Sequence, residues 1–375
     1  MKNLALYLCL LCVISACSTP ESTNAQSADT TVDMTVEEYE PTSTLVVPEN
    51  FVTRAKFPFV DVHSHWFRAP TMRAGAIDTL ISEMDGMNMA VIVNLSGGNG
   101  DNLKGAISNM ESKYPNRIVT FANVDFDSVG AEGWTEKAVA QLRADVAAGA
   151  RGLKVYKNLG MDVTDVDGIR VSVDDPRLDP IWALAGELGI PVLIHSADPA
   201  NFWQPMDKFN EKWLELKLNP NRLRVEGVDA PFDTIMNEHY SMIGKHPETT
   251  FISAHLSWLG NDLGKLGSLL DKYPNMYSEV GAVIYEIGRQ PKMALEFFTK
   301  YKDRILFGKD TYRVSEFDTY FRVFETADEY FPYYRKYHAQ WRMYGADLPD
   351  DILKAVYYEN ALRIIPGLDA SLFIN

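Results

Sequence analysis

Asp61-Val62-His63-Ser64-His65 closes a short apolar run, Phe57-Pro58-Phe59-Val60, and that run predicts a buried strand. Side chains alternate along a strand, so His63 and His65 share a face. Two imidazoles on one face, roughly two strand rises apart, can grip one metal ion, because neutral imidazole is the commonest protein metal ligand. The same pair is also compatible with an ordinary strand end. What decides is whether further ligands stand at strand ends downstream.

Outward from this stretch, short β-like runs alternate with longer amphipathic ones. Eight strands are expected, at 57–65, 90–95, 118–125, 152–156, 191–196, 250–255, 275–280 and 305–310. Helical patterns fall between them at 77–87, 136–148, 180–188, 262–272 and 291–301. Eight apolar strands alternating with helices predict an α/β fold, a (β/α)8 TIM barrel in one domain over residues 51–375. A doubly wound sheet is the alternative, but no Gly-x-Gly-x-x-Gly follows the first strand. No internal repeat is visible in the sequence.

Barrel chemistry sits at the C-terminal strand ends. Strand one ends on His63 and His65, strand five on His195, strand six on His255 and strand eight on Asp310, while Lys154 lies on strand four. Four of the seven histidines thus stand on three strand ends. Taken singly, each has a plainer explanation. His195 or His255 could be structural, Asp310 could cap the helix that follows, and Lys154 could pair with a carboxylate inside the barrel rather than act on substrate. His239, His246 and His338 fall in helical or loop stretches and are expected to be solvated or structural.

Lys2 and the apolar run 4–14 read as a signal peptide, since about eleven residues are too few to span a bilayer permanently. Ile14-Ser15-Ala16-Cys17 resembles a bacterial lipobox. The resemblance implies a signal over 1–16, lipidation of Cys17 and anchoring in the bacterial cell envelope, with Ser18 favouring the outer membrane. Residues 17–50 are then the lipidated Cys and a flexible linker rich in Ser, Thr, Glu, Asp and Pro. All three cysteines lie in the first 17 residues, so any metal site in the body must use His, Asp, Glu or Lys. The net charge of −15 argues against a nucleic-acid partner.

The strand-end constellation, with Asp61-Val62-His63-Ser64-His65, Ile194-His195, Ala254-His255-Leu256, Ile305-Leu306-Phe307-Gly308-Lys309-Asp310 and Glu359-Asn360-Ala361, resembles the amidohydrolase superfamily. Over about residues 55 to 366 it is most similar to the amidohydrolase-related branch that includes zinc-dependent decarboxylases akin to aminocarboxymuconate-semialdehyde decarboxylase. The resemblance implies one divalent metal, Zn²⁺, held by His63, His65, His195 and Asp310, with Asp310 and His255 as catalytic groups. A two-metal site bridged by a carbamylated Lys154 is the variant within the superfamily.

The activity implied is hydrolysis of an amide, ester or lactone in a small-molecule substrate, with nonoxidative decarboxylation as the alternative. A third possibility is a non-catalytic binding lipoprotein, which would retain no metal. Two long connections, 197–230 and 310–348, are expected over the mouth as lids or aromatic walls, with most of their aromatics packed into helices or a dimer contact. Lys154, Trp203, Tyr312 and Arg289 are the expected substrate-binding residues, with Lys157 also near the mouth, and a homodimer is an option.

Overall fold

A computed structural model describes residues 33–374. The expected signal peptide and Cys17 lie outside the described residues. The chain divides at Tyr39–Glu40, and the second unit, Glu40–Asn375, carries the fold.

The first strand, β1 (Phe59–Ser64), is buried along its whole length, as a parallel strand covered on both faces must be. It pairs in parallel with β2 (Met89–Asn94), and β2 with β3 (Ile118–Thr120). The third stave then breaks at Phe121 and resumes as β4 (Ala122–Asn123). From there the parallel ladder runs through β5 (Leu153–Val155), β6 (Val192–Ile194), β7 (Phe251–Ser253), β8 (Met276–Glu279) and β9 (Ile305–Leu306). The ring closes between its last and first staves. Val62 donates its amide to Phe307 O at 3.1 Å, Asp310 donates to His63 O at 2.6 Å, and Ser64 and Asp310 form a parallel bridge. The chain is therefore the expected eight-staved (β/α)8 barrel.

Helices return the chain between staves. Among them are α1 (Ala74–Met87), α2 (Gly100–Glu111), α3 (Trp134–Ala147) and α4 (Asp179–Glu187). Asn88 caps α1 in the left-handed conformation, a position Asn tolerates. One apolar cluster draws Val62, Val93, Phe121, Leu193, Ile252 and Leu306 from six staves, which meet only inside the ring. A larger cluster lies between strands and helices.

The connection after Asp310 is more ordered than a lid. It carries a helix, Phe317–Glu325, whose Phe317, Tyr320, Phe321 and Phe324 are fully buried, and a two-stranded hairpin, β10 (Phe331–Pro332) with β11 (Arg342–Met343). Most of its aromatics thus pack inward. Residues 40–50 lie against this excursion. Lys336 pairs with Glu40 at 2.6 Å, Arg342 donates to Pro41 O at 2.8 Å, and Asn50 donates to Asp328 from its side chain at 2.5 Å and its amide at 2.7 Å. No helix among the described residues is long and apolar enough to cross a membrane.

Candidate metal centre and active site

Closure of the barrel brings Asp310 to the two histidines that end the first stave, far away in sequence. Asp310 Oδ1 stands 3.3 Å from His65 Nε2 and 3.6 Å from His63 Nε2, and the two imidazole nitrogens are 3.2 Å apart. One ligand atom from each of the three lies within 4.8 Å of the others, so the trio could hold a metal ion. Asp61, buried below them, accepts from the amides of His63 at 3.1 Å and Lys309 at 3.0 Å, which ties the first stave to the last.

The hydrogen bonds decide which nitrogens face inward. His63 Nδ1 donates to Glu279 Oε1 at 2.9 Å, leaving Nε2 a bare acceptor toward Asp310 and His65. His255 Nδ1 donates to Gly281 O at 2.7 Å, so in a neutral ring its Nε2 is an acceptor. That acceptor lies 3.3 Å from His195 Nδ1, which must then carry the proton. His195 Nε2 is left as a lone pair, buried and without a partner. An orphaned imidazole acceptor beside a His–His–Asp cluster fits a metal-ligand set. His195 nevertheless lies outside the groups whose ligand atoms all fall within 4.8 Å, so it stands at the edge of the trio rather than in it.

Burial, reinforced by the Lys154 charge, drives His63 well below the usual imidazole range. Burial and the neighbouring His255 do the same for His195, and burial takes His255 down to about 4. These rings are neutral at pH 7, as ligands must be. Burial resists ionisation of Asp310, but the His65 hydrogen bond and the surrounding imidazoles overcome it and hold the carboxyl well below its ordinary range. Lys154, fully buried with Nζ 3.5 Å from His63 Nε2, is pushed down to about 8 by burial, against the pull of Asp310 and Glu279.

The other expected substrate residues each hold a partner within the chain. Tyr312 donates its hydroxyl to Glu83 on α1 at 3.0 Å. Trp203 donates its indole N–H to Ala230 O at 2.9 Å. Arg289 pairs with Glu211 and Glu286, both at 2.7 Å, and lies over Trp341. Lys157 pairs with Asp198 at 2.6 Å. His239 is structural, buried between Ser196 Oγ at 2.9 Å and Ser253 Oγ at 2.7 Å.

Glu279, at the end of β8, is the residue that sequence reasoning missed. It accepts from His63 Nδ1, from the amide of His255 at 2.7 Å and from the amide of Gly281. Its oxygens occupy space that a Cβ on Gly281 or Gly308 would need. Glu279 also falls in a second potential ligand group with His63 and His255, but its three accepted N–H bonds already commit it. A carboxylate ending a strand that should be apolar was the available signal. Ser96 and Tyr156 were missed as well: Ser96 Oγ lies 2.9 Å from both His65 Nδ1 and the Tyr156 hydroxyl.

A family model described as amidohydrolase matches residues 60–367. No protein of curated function matches the sequence. Similar solved structures include a dihydroxybenzoic acid decarboxylase from Polaromonas sp. JS666 with bound manganese and 2-nitroresorcinol (12% identity, 85% of this chain and 100% of that one, TM-score 0.54). They also include a putative amidohydrolase from Staphylococcus aureus (14%, 82% and 99%, 0.52) and a 4-oxalomesaconate hydratase from Rhodopseudomonas palustris (14%, 84% and 97%, 0.51). At such identities the likeness is one of fold.

Proposed function

This chain belongs to the amidohydrolase family, and from that premise we propose that it is a metal-dependent hydrolase of a small organic amide, ester or lactone. The supporting observation is the convergence of His63, His65 and Asp310 at the C-terminal rim, beside the unpartnered acceptor of His195. We assign these four side chains to one divalent ion, and their imidazole and carboxylate atoms suit Zn²⁺. Such an ion, when bound, lowers the pKa of its water toward about 7.

The chain's own groups supply the rest. Asp310, ionised at neutral pH, accepts a proton from the attacking water and passes it to the leaving group. His255 has its Nδ1–H on Gly281 and an accepting Nε2, so it has no N–H left for an oxyanion. It acts instead by holding His195 in the tautomer whose Nε2 is free. The Lys154 ammonium, beside His63, is the cation placed to stabilise negative charge developing on the carbonyl oxygen. On the same footing we propose a lipid anchor at Cys17 in the bacterial envelope, supported by the apolar run and small residues before it. A lipidated N-terminal peptide in the mass spectrum of the mature chain checks that.

Asp310→Asn tests the mechanism. Turnover on a panel of amides, esters and lactones is expected to fall by about 10² or more while metal per chain is largely retained. Near-normal turnover would refute the role of Asp310. Nonoxidative decarboxylation on the same ligands is the second reading, and the manganese-containing structure above is named a decarboxylase. CO₂ release from aromatic acids, with no hydrolysis, would replace the hydrolase reading by that one.

A further inference from the structure

Arg335 is a cation without an anion. Among the half-buried or buried arginines described, Arg117, Arg170, Arg177, Arg224, Arg289 and Arg322 each reach a carboxylate. Arg304 and Arg342 donate to backbone carbonyls. Arg335 is half-buried like them, yet among the described residues its guanidinium has neither an ion pair nor a hydrogen-bond acceptor. It lies 5.6 Å from the Tyr334 ring centroid. The groups its charge acts on most are the phenols of Tyr333, Tyr334, Tyr337 and Tyr320.

Those phenols are short of partners too. The hydroxyls of Tyr333 and Tyr334 are buried, with rings only 4.4 Å apart, and the polar groups within reach of Tyr334 are the phenols of Tyr333 and Tyr320. Tyr333 is 4% exposed. A half-buried guanidinium whose neighbours are phenols that face only one another has no charged acceptor, and an arriving anion would supply one.

Contacts place the cluster at the rim of the barrel. The Tyr320 hydroxyl accepts from the amide of Ala282 at 3.0 Å, just beyond Glu279. Lys309, the neighbour of Asp310, sets its ammonium 5.2 Å from the Tyr334 ring. That ammonium is already neutralised by Glu316 at 2.6 Å, so the local excess is a single positive charge.

We propose that Arg335, with the hydroxyls of Tyr333 and Tyr334, forms an anion subsite that holds a carboxylate carried by the substrate away from the bond being cleaved. The substrate-bound part of this rests on the metal-centre reading above; the anion subsite itself does not. A carboxylate fits better than a phosphate. The guanidinium fork matches a planar carboxylate bidentately, one unpaired cation balances a monoanion, and a chain of net charge −15 repels dianions.

Calorimetric titration of the full-length chain tests this, with benzoate, benzamide and inorganic phosphate as probes, each with and without a chelator that strips metal. Benzoate is expected to bind the chelated chain at least about tenfold tighter than benzamide. Arg335→Gln should erase that preference, Arg335→Lys should keep part of it, and Tyr333→Phe should weaken benzoate a few-fold. Equal benzoate binding by the wild-type chain and Arg335→Gln, loss of all benzoate binding on chelation alone, or no binding at all overturns the proposal. Tighter binding of phosphate than of benzoate overturns the carboxylate assignment. If Arg335→Gln fails to fold, Tyr333→Phe decides, and an unchanged benzoate affinity is fatal. A chain that takes up no Zn²⁺ when titrated with it, yet prefers benzoate through Arg335, would sink the hydrolase reading and leave the subsite standing.

Discussion

Replacing Glu279 by Gln is expected to weaken metal binding without unfolding the barrel. The carboxylate now meets three N–H donors, with His63 Nδ1 and the His255 amide on Oε1 and the Gly281 amide on Oε2. A Gln amide must put its NH₂ in one of those two positions. At the Oε1 position it would confront two donors, so the cheaper choice sets it against the Gly281 amide and strands one buried N–H, at about 1–3 kcal/mol. Loss of a buried charge offsets part of that, because burial already raises the Glu279 carboxyl above its ordinary range. The larger effect falls on His63. Its ring keeps an acceptor but loses the charge that raises the basicity of Nε2, and such losses typically lower metal affinity by 10–100-fold, or about 1.4–2.7 kcal/mol. Competition against a chromophoric chelator, starting from metal-free protein, measures Zn²⁺ affinity for both chains, and thermal unfolding confirms the fold. A folded Glu279→Gln chain whose affinity stays within about threefold of wild type would refute the reasoning.

Phe307→Ala removes a fully buried ring from the last stave, where it meets Phe59 at 4.8 Å and Tyr357 at 5.6 Å between centroids. Denaturant unfolding should show a loss of about 3–5 kcal/mol, and a loss below about 1 would contradict this packing. Burial pushes the Lys212 ammonium down to about 8, against the pull of Glu215. Its folded pKa lies below the unfolded 10.5, so between those values the unfolded chain holds more protons. Charged Lys212 therefore costs stability in full below pH 8, and the cost fades as pH rises to 10.5. The unfolding free energy of wild type minus that of Lys212→Met should rise by roughly 3 kcal/mol across that window, and a flat difference would count against it. Asp328→Ala strands Arg322, now paired at 2.6 Å, and releases Asn50. The expected cost is about 3–5 kcal/mol, with faster protease cleavage within residues 40–50; unchanged cleavage would show that this carboxylate does not hold the segment.

Much of the barrel was legible because its strands are buried on both faces and so appear as unbroken apolar runs. The apolar pattern predicts one strand over 118–125, but the third stave is split at Phe121, whose amide bonds to Asn94 O while Ala122 bonds to Gly152 O. A change of partner across one residue leaves no mark in composition. Over 310–348 most aromatics are expected to pack into helices, and Phe317, Tyr320, Phe321 and Phe324 do so on one helix. For the site, strand-end position was enough to find His63, His65 and Asp310, since barrel closure makes the first and last staves neighbours. The same rule reaches Glu279, the last residue of β8, but its place under His63 is legible only in the structure, where Gly281 and Gly308 leave room for it. Nor could strand-end position show that Tyr312, Trp203 and Arg289 are engaged by Glu83, Ala230 and Glu211, partners that tertiary packing alone supplies.

Backbone strain carries the argument one step further. Among the described non-glycine residues with positive φ, Asn88 and Asn116 stand before strands and four fall in the 330–347 excursion. The rest all follow a strand end on the catalytic side: Ala197, the run His255, Leu256, Ser257 and Trp258, Ala282, and Asp310. Left-handed backbone costs roughly 1–2 kcal/mol per residue, so the run of four stores about 4–8 kcal/mol, comparable to the net stability of a whole domain. Local bonds sustain it. The His255 amide reaches Glu279, Ser257 Oγ lies 3.0 Å from the Tyr240 hydroxyl, and the Trp258 indole donates to Ser196 O at 3.0 Å. What the strain achieves is the position of one ring. It turns His255 back over the barrel mouth, stacked 4.9 Å from His63 and edge-on 4.4 Å from His195. Had the strand simply run on, that imidazole would have been carried away from both. His195 would then lose the acceptor that fixes its tautomer, and Glu279 would lose one of the donors that hold it under His63.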